Sequence, residues 1–199
     1  MSFIKGKPKI GAECCQETTS PARYEYYYIS SQYHLLTGEG GKLANVFASP
    51  ANFLYARKIM VLDNVTVDKL VVEVTAANPG TAVAGVYSID EDGFPGKLLF
   101  QTGAEFNLGV TGIQEVTLNN KYNLDAGSYA VVYHGSSAAT MRTISRPVPT
   151  WGQSKTLIQG ENSWIVESLP YSSTLPTTFP SSTVSTSVAQ ATAVLFNLV

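Results

Sequence analysis

Hydrophobic and polar positions alternate with a period of two through the middle of the chain. In residues 65–75, Leu70, Val72 and Val74 fall on one side and Val71, Glu73 and Thr75 on the other. That spacing predicts a strand with one face buried. An aromatic and β-branched run over 52–61 precedes it, and Asn78-Pro79-Gly80 breaks the pattern after it. Residues 81–89 form the next predicted strand, closed by the dense turn Asp90-Glu91-Asp92-Gly93-Phe94-Pro95-Gly96. Further strands are predicted over 97–101 and 113–118, with turns at Asn119-Asn120 and Asp125-Ala126-Gly127. A last clear strand covers 127–134, with Tyr129, Val131 and Tyr133 on one side. Short strands at a spacing of about 8–12 residues read as an all-β sandwich or barrel. No segment keeps helical periodicity through three turns, and no solenoid repeat is visible.

The flanks are less regular. Residues 1–45 carry scattered lysines, the adjacent pair Cys14-Cys15 and the tyrosine-rich stretch Tyr24, Tyr26, Tyr27, Tyr28 and Tyr33. Residues 15–36 fit a short helix or a strand. At the other end, more than half of residues 171–192 are Ser or Thr, with Pro176 and Pro180 among them, and 193–199 is strongly apolar. A free apolar tail would aggregate. The end of the chain is therefore expected to be a final strand paired inside a sheet, and the Ser/Thr/Pro stretch an ordered crossover. The expected organisation is an arm over 1–45 and one sandwich over 46–199.

Composition narrows the function classes. Charged residues make up 14% of the 199 residues, against about 25% in an ordinary soluble domain. Low charge with 16 Gly and 10 Pro excludes a coiled coil and a charge-driven disordered chain. The formal net charge of −2, with lysines and arginines scattered, leaves no basic footprint for nucleic acid. No apolar run reaches the length of a membrane span, so no membrane insertion is expected, and the N-terminus has no apolar core of a signal peptide. Two adjacent cysteines make no disulfide framework, and with no other Cys and only His34 and His134, no zinc site of four soft ligands is expected within one chain. The expected place of synthesis is a reducing cytoplasm.

Candidate chemistry is sparse. Serines are abundant, but no G-x-S-x-G elbow is present, and His134 reads as a half-exposed histidine at a sandwich edge. The 15 acidic residues are dispersed, which argues against the carboxylate pair of a glycosidase. Asp90-Glu91-Asp92-Gly93 reads as a hairpin turn rather than a calcium loop. No catalytic residue, metal or cofactor is expected. Trp151, Trp164 and Tyr171 offer flat faces on which sugar rings stack, with Gln153, Asn162 and Glu161 to fix hydroxyls. The same aromatics also suit a core or an interface. The tyrosines of the arm, Tyr24, Tyr26, Tyr27, Tyr28 and Tyr33, need a surface to bury against. They fit an arm docked on a neighbouring subunit, or the first strand of the sandwich.

Four segments carry a resemblance. They are residues 67–75 (VDKLVVEVT), 85–98 (GVYSIDEDGFPGKL), 124–132 (LDAGSYAVV) and 175–180 (LPTTFP). In this order they resemble a jelly-roll-like β-sandwich domain of tailed-bacteriophage virion proteins, found in tail fibres, tail spikes and other surface appendages. The resemblance covers about residues 47–199 and rests mainly on the turn Gly93-Phe94-Pro95-Gly96 and the strand opening Ala126-Gly127-Ser128-Tyr129. It implies a non-enzymatic virion protein, made in the host cytoplasm, often a homotrimer, bound to other virion proteins and in some cases to a host surface glycan. With no long shaft before the sandwich, a short fibre, tail-tip component or capsid decoration protein is expected, anchored by the arm. The competing reading is a free carbohydrate-binding module or lectin.

Overall fold

The computed structural model describes residues 33–34, 43–144, 164–180 and 193–199. Every regular element among them is a strand: β1 (Tyr33–His34), β2 (Leu43–Ala48), β3 (Phe53–Val61), β4 (Val65–Ala76), β5 (Thr81–Ile89), β6 (Pro95–Gln101), β7 (Phe106–Asn107), β8 (Gly112–Leu124), β9 (Gly127–Gly135), β10 (Thr140–Ile144), β11 (Trp164–Ser168) and β12 (Leu195–Leu198). They form two antiparallel sheets packed face to face. The first runs β1-β12-β4-β10-β2, with β8 on the other edge of β4. The second runs β11-β3-β9-β5-β6, with β7 against the start of β5. From β7 onward, successive strands alternate between the sheets, a jelly-roll-like connectivity.

The period-two pattern explains the packing. Leu70, Val72 and Val74 of β4, Val116 and Leu118 of β8, and Phe196 and Leu198 of β12 face Tyr55, Ile59, Ala84, Val86, Val131 and Tyr133 of the second sheet in one buried cluster. The apolar end of the chain is a paired strand, as its composition predicts: β12 lies between β1 and β4. Fully buried Arg57 shares the inward parity of Tyr55 and Ile59 on β3, and burial lowers its guanidinium to about 9, still protonated at neutral pH.

Three local expectations change. Asn119-Asn120 is not a turn between strands; β8 runs through it. Its turn chemistry is spent on an irregularity, in which Lys69 pairs Thr117 but Val67 already pairs Tyr122. The displaced stretch leans toward the other sheet, where Leu118 bridges Thr102. The sheet also begins before residue 46, because β2 starts at Leu43 and Tyr33–His34 pairs Asn197 and Phe196. Third, His134 is neither at an edge nor half-exposed. β9 is the central strand of its sheet, between β3 and β5, and His134 is fully buried.

The outer face of the second sheet is apolar as well. Leu54, Ala56, Val83, Tyr87, Ala130 and Val132 form a second cluster with Leu175 and Phe179. A strap over residues 169–180 supplies this third layer. Burying Leu175 and Phe179 contributes roughly 1.5–3 kcal/mol each.

Candidate functional site

The strap brings together polar groups distant in sequence, and its head and its anchor are held differently. At the anchor, Leu175 lies over Gly85, where a Cβ would stand 2.6 Å from Leu175 Cδ1 and 2.7 Å from the Phe100 carbonyl oxygen. Only glycine leaves room for the strap there. The Gln101 side-chain oxygen accepts from the Leu175 N–H (2.7 Å), and the Tyr87 hydroxyl donates to the Pro176 carbonyl (2.7 Å). The Leu98 N–H donates to Thr177 and the Phe179 N–H to Gly96, both at 2.9 Å, so the strap also covers the edge of β6.

The head of the strap is polar. Asn52 sits at the start of β3 with φ of 63°, a conformation that Asn tolerates because its short side chain bonds locally. Its carbonyl accepts the Leu169 N–H (2.9 Å) and its side-chain oxygen the Tyr171 N–H (3.0 Å). The Tyr171 hydroxyl bonds to the Glu105 carboxylate, which also accepts from Thr81 Oγ1 (2.9 Å). The Tyr171 ring lies against the His134 ring, centroids 5.1 Å apart. His134 Nε2 meets the Leu169 carbonyl at 3.2 Å. A carbonyl only accepts, so Nε2 carries the proton in the neutral ring. Nδ1 is then a buried acceptor with no hydrogen bond among the described residues. Burial lowers the His134 pKa, opposed by the bond to Leu169. Burial, followed by the bond to Glu105, pushes the Tyr171 hydroxyl up to about 12.

A second feature lies at the far end of the same sheet. A depression of 370 Å³ is lined by Ser88, Ile89, Asp90, Glu91, Pro95, Gly96, Lys97, Thr178 and Phe179. One of its two acids is already engaged: Asp90 Oδ1 accepts from the N–H groups of Asp92 (3.1 Å) and Phe94 (2.8 Å), while Gly93 takes φ of 87°. This is the turn predicted from the Asp/Gly spacing. Among the described residues, no three His, Cys, Asp or Glu side chains gather as a metal site.

Of the residues proposed for sugar stacking, Tyr171 is in the head of the strap, and Trp164 opens β11 opposite Arg57 of β3. Trp151, Gln153, Asn162 and Glu161 lie outside the described residues, as do Tyr24, Tyr26, Tyr27 and Tyr28. Tyr33 is in β1, paired with Asn197. Sequence reasoning missed Asn52, Thr81 and Glu105. The one local signal was the Ser-Pro-Ala-Asn turn before β3; the other two become visible only when the strap is laid over the sheet. No protein-family model matches the chain, and no curated protein matches it.

Proposed function

We propose that the chain is a non-enzymatic structural protein of a tailed-phage virion surface, a short fibre, tail-tip or decoration protein that assembles through its N-terminal arm, most simply as a homotrimer. The observation that carries the reading is the place where the arm joins the body. Tyr33–His34 is the last strand of its sheet among the described residues, paired on one side with β12. The tyrosine cluster, residues 24–28, immediately precedes that strand. A sheet edge offers backbone donors and acceptors to a neighbouring subunit, and a tyrosine-rich segment next to it in sequence offers aromatic surface. The other polar groups fit a structural role as well. His134 is buried and Asp90 closes a turn in the second sheet, and on the first sheet Glu73 and Glu115 sit in ion pairs with Arg142 and Lys69. Tyr171 has its hydroxyl on Glu105 and its ring against His134, which favours a structural use over a sugar-stacking one.

The test is solution mass by light scattering on the full chain and on a full-length variant with Tyr24, Tyr26, Tyr27 and Tyr28 all changed to Ser. The expected result is a trimer for the natural chain and a monomer for the variant, with unchanged β-sheet circular dichroism. A natural chain that is monomeric and shifts its tryptophan fluorescence with added sugars would replace this reading with the lectin.

A further inference from the structure

The strap is tied to the sandwich by two unlike ends. The anchor is apolar, through Leu175 and Phe179, and insensitive to protons. The head is a small polar cluster built on the one fully buried histidine of the described residues. Between them, Ser172, Ser173 and Thr174 are exposed and bonded mainly to one another, with Gln101 Nε2 reaching Ser173 at 3.4 Å. The head can therefore lift without releasing the anchor.

We propose that His134, Tyr171 and Glu105 form an acid-opened latch, in which protonation of His134 lifts the head of the strap, residues 169–171, from the outer face of the second sheet. The reason is geometric. In the closed state both ring nitrogens are out of water, one on the Leu169 carbonyl and the other without a hydrogen bond among the described residues. A second proton on Nδ1 would add a charge and a donor in a place where no acceptor among the described residues receives it. Solvation of the imidazolium requires the lid to move, and the lid is the backbone of Leu169 together with the Tyr171 ring.

The charged and titratable groups around His134 do not offset this. On the strap, Tyr171 is neutral. Glu105, from the segment before β7, is exposed and directed at the Tyr171 hydroxyl rather than at the imidazole. On β11, Glu167 pairs Leu54, which in turn pairs His134 on β9. It is thus two strand spacings away, about 10 Å, where solvent and salt screen most of its attraction. The immediate register neighbours of His134 are apolar, Leu54 on β3 and Val83 on β5. The proposal does not depend on the virion reading: a lectin with the same strap would have the same latch.

The direction follows from linkage. The closed state holds His134 below the ordinary histidine value of 6.5, because burial disfavours the cation. Closure is then fully favoured above pH 6.5 and weakens as the pH falls below it, until the folded value is passed. Over that window the opening constant rises by up to about tenfold per pH unit.

Amide hydrogen exchange read by NMR on the full chain, from about pH 7.5 to about pH 5 and corrected for intrinsic rates, tests this. The Leu169 and Tyr171 amides are expected to lose protection by up to about tenfold per unit below pH 6.5, while Phe179 and Leu98 in the anchor hold theirs. His134→Gln, whose side-chain amide can still donate to the Leu169 carbonyl, is expected to flatten that slope. Should the variant fail to fold, the imidazole nitrogen shifts of the natural protein provide a second reading: an Nε2-protonated neutral ring at pH 7, titrating below 6.5. Head amides that keep full protection down to pH 5, a slope that survives in a folded His134→Gln protein, or a His134 that titrates at or above 6.5 would each overturn the latch.

Discussion

At the scale of single residues, the fold turns on places where one atom more or less would not fit. Gly85 is one such place. A methyl group there meets both a side chain and a backbone carbonyl at less than 3 Å. Gly85→Ala is therefore expected to cost about 1–3 kcal/mol through overpacking, read as a lower midpoint in urea with an unchanged slope. Tyr87 illustrates the polar counterpart. Its ring is buried and its hydroxyl donates to the Pro176 carbonyl. Tyr87→Phe removes the donor and leaves that carbonyl poorly satisfied, at an expected cost of about 1 kcal/mol. An unchanged midpoint in the same titration would show that water replaces the donor.

At the scale of elements, the strap and the last strand act as closures. The strap depends on Gly85 through Leu175, so the two sites are expected to couple. In a Leu175→Ala background, Gly85→Ala costs less than it does alone, though not nothing, because the Phe100 carbonyl remains in the way. Strict additivity in a double-mutant cycle would contradict that contact. β12 joins β1 to β4 and places Phe196 and Leu198 in the main core. Phe196→Ala is expected to destabilise the protein by about 3–5 kcal/mol, so a four-residue strand at the end of the chain carries a large part of the net stability. Thermal melting of the variant measures it.

At the scale of the whole molecule, the titrating groups set a window of stability. Tyr55 and Tyr171 are pushed up to about 12, and Tyr87 and Tyr133 higher still, in each case chiefly by burial. The folded protein keeps phenolic protons that the unfolded chain gives up near pH 10. Stability is thus complete below 10 and lost as the pH rises above it, by up to about 1.4 kcal/mol per unit for each fully buried tyrosine. Urea midpoints that fall steeply between about pH 10 and pH 11, but hold between about pH 7 and pH 9, are the expected result. On the acid side, the bidentate hydrogen bond from Arg142 lowers the Glu73 pKa. Its contribution is present above the usual value of 4.5 and fades as the pH falls through the folded value. Glu73 and Arg142 are about one-third exposed, so the effect stays below about 1 kcal/mol.

The strands and turns of the central region were legible without coordinates. The alternation of Leu70, Val72 and Val74, the Asp90–Gly93 turn and the apolar last segment are properties of neighbouring residues, and neighbours decide which face of a strand is apolar and where the backbone can reverse. The all-β class follows from the same information. Which strand lies at the centre does not, because pairing partners are separated by long stretches of chain and many sandwich orders satisfy one alternation. His134 shows the consequence. Its own surroundings, a strand end followed by Gly135-Ser136-Ser137, suggest exposure. It is buried because β3 and β5 flank it and because Leu169, 35 residues later, closes over its ring. Asn119-Asn120 likewise has the chemistry of a turn, yet β4 continues past it and holds both sides in one ladder. Local chemistry therefore established most strands of the central region and the last one, their buried faces and most of the turns between them. Burial of a polar group, strand order and the union of Asn52, Thr81, Glu105, His134 and Tyr171 arise from contacts between distant segments, whose free energy no short stretch of sequence contains.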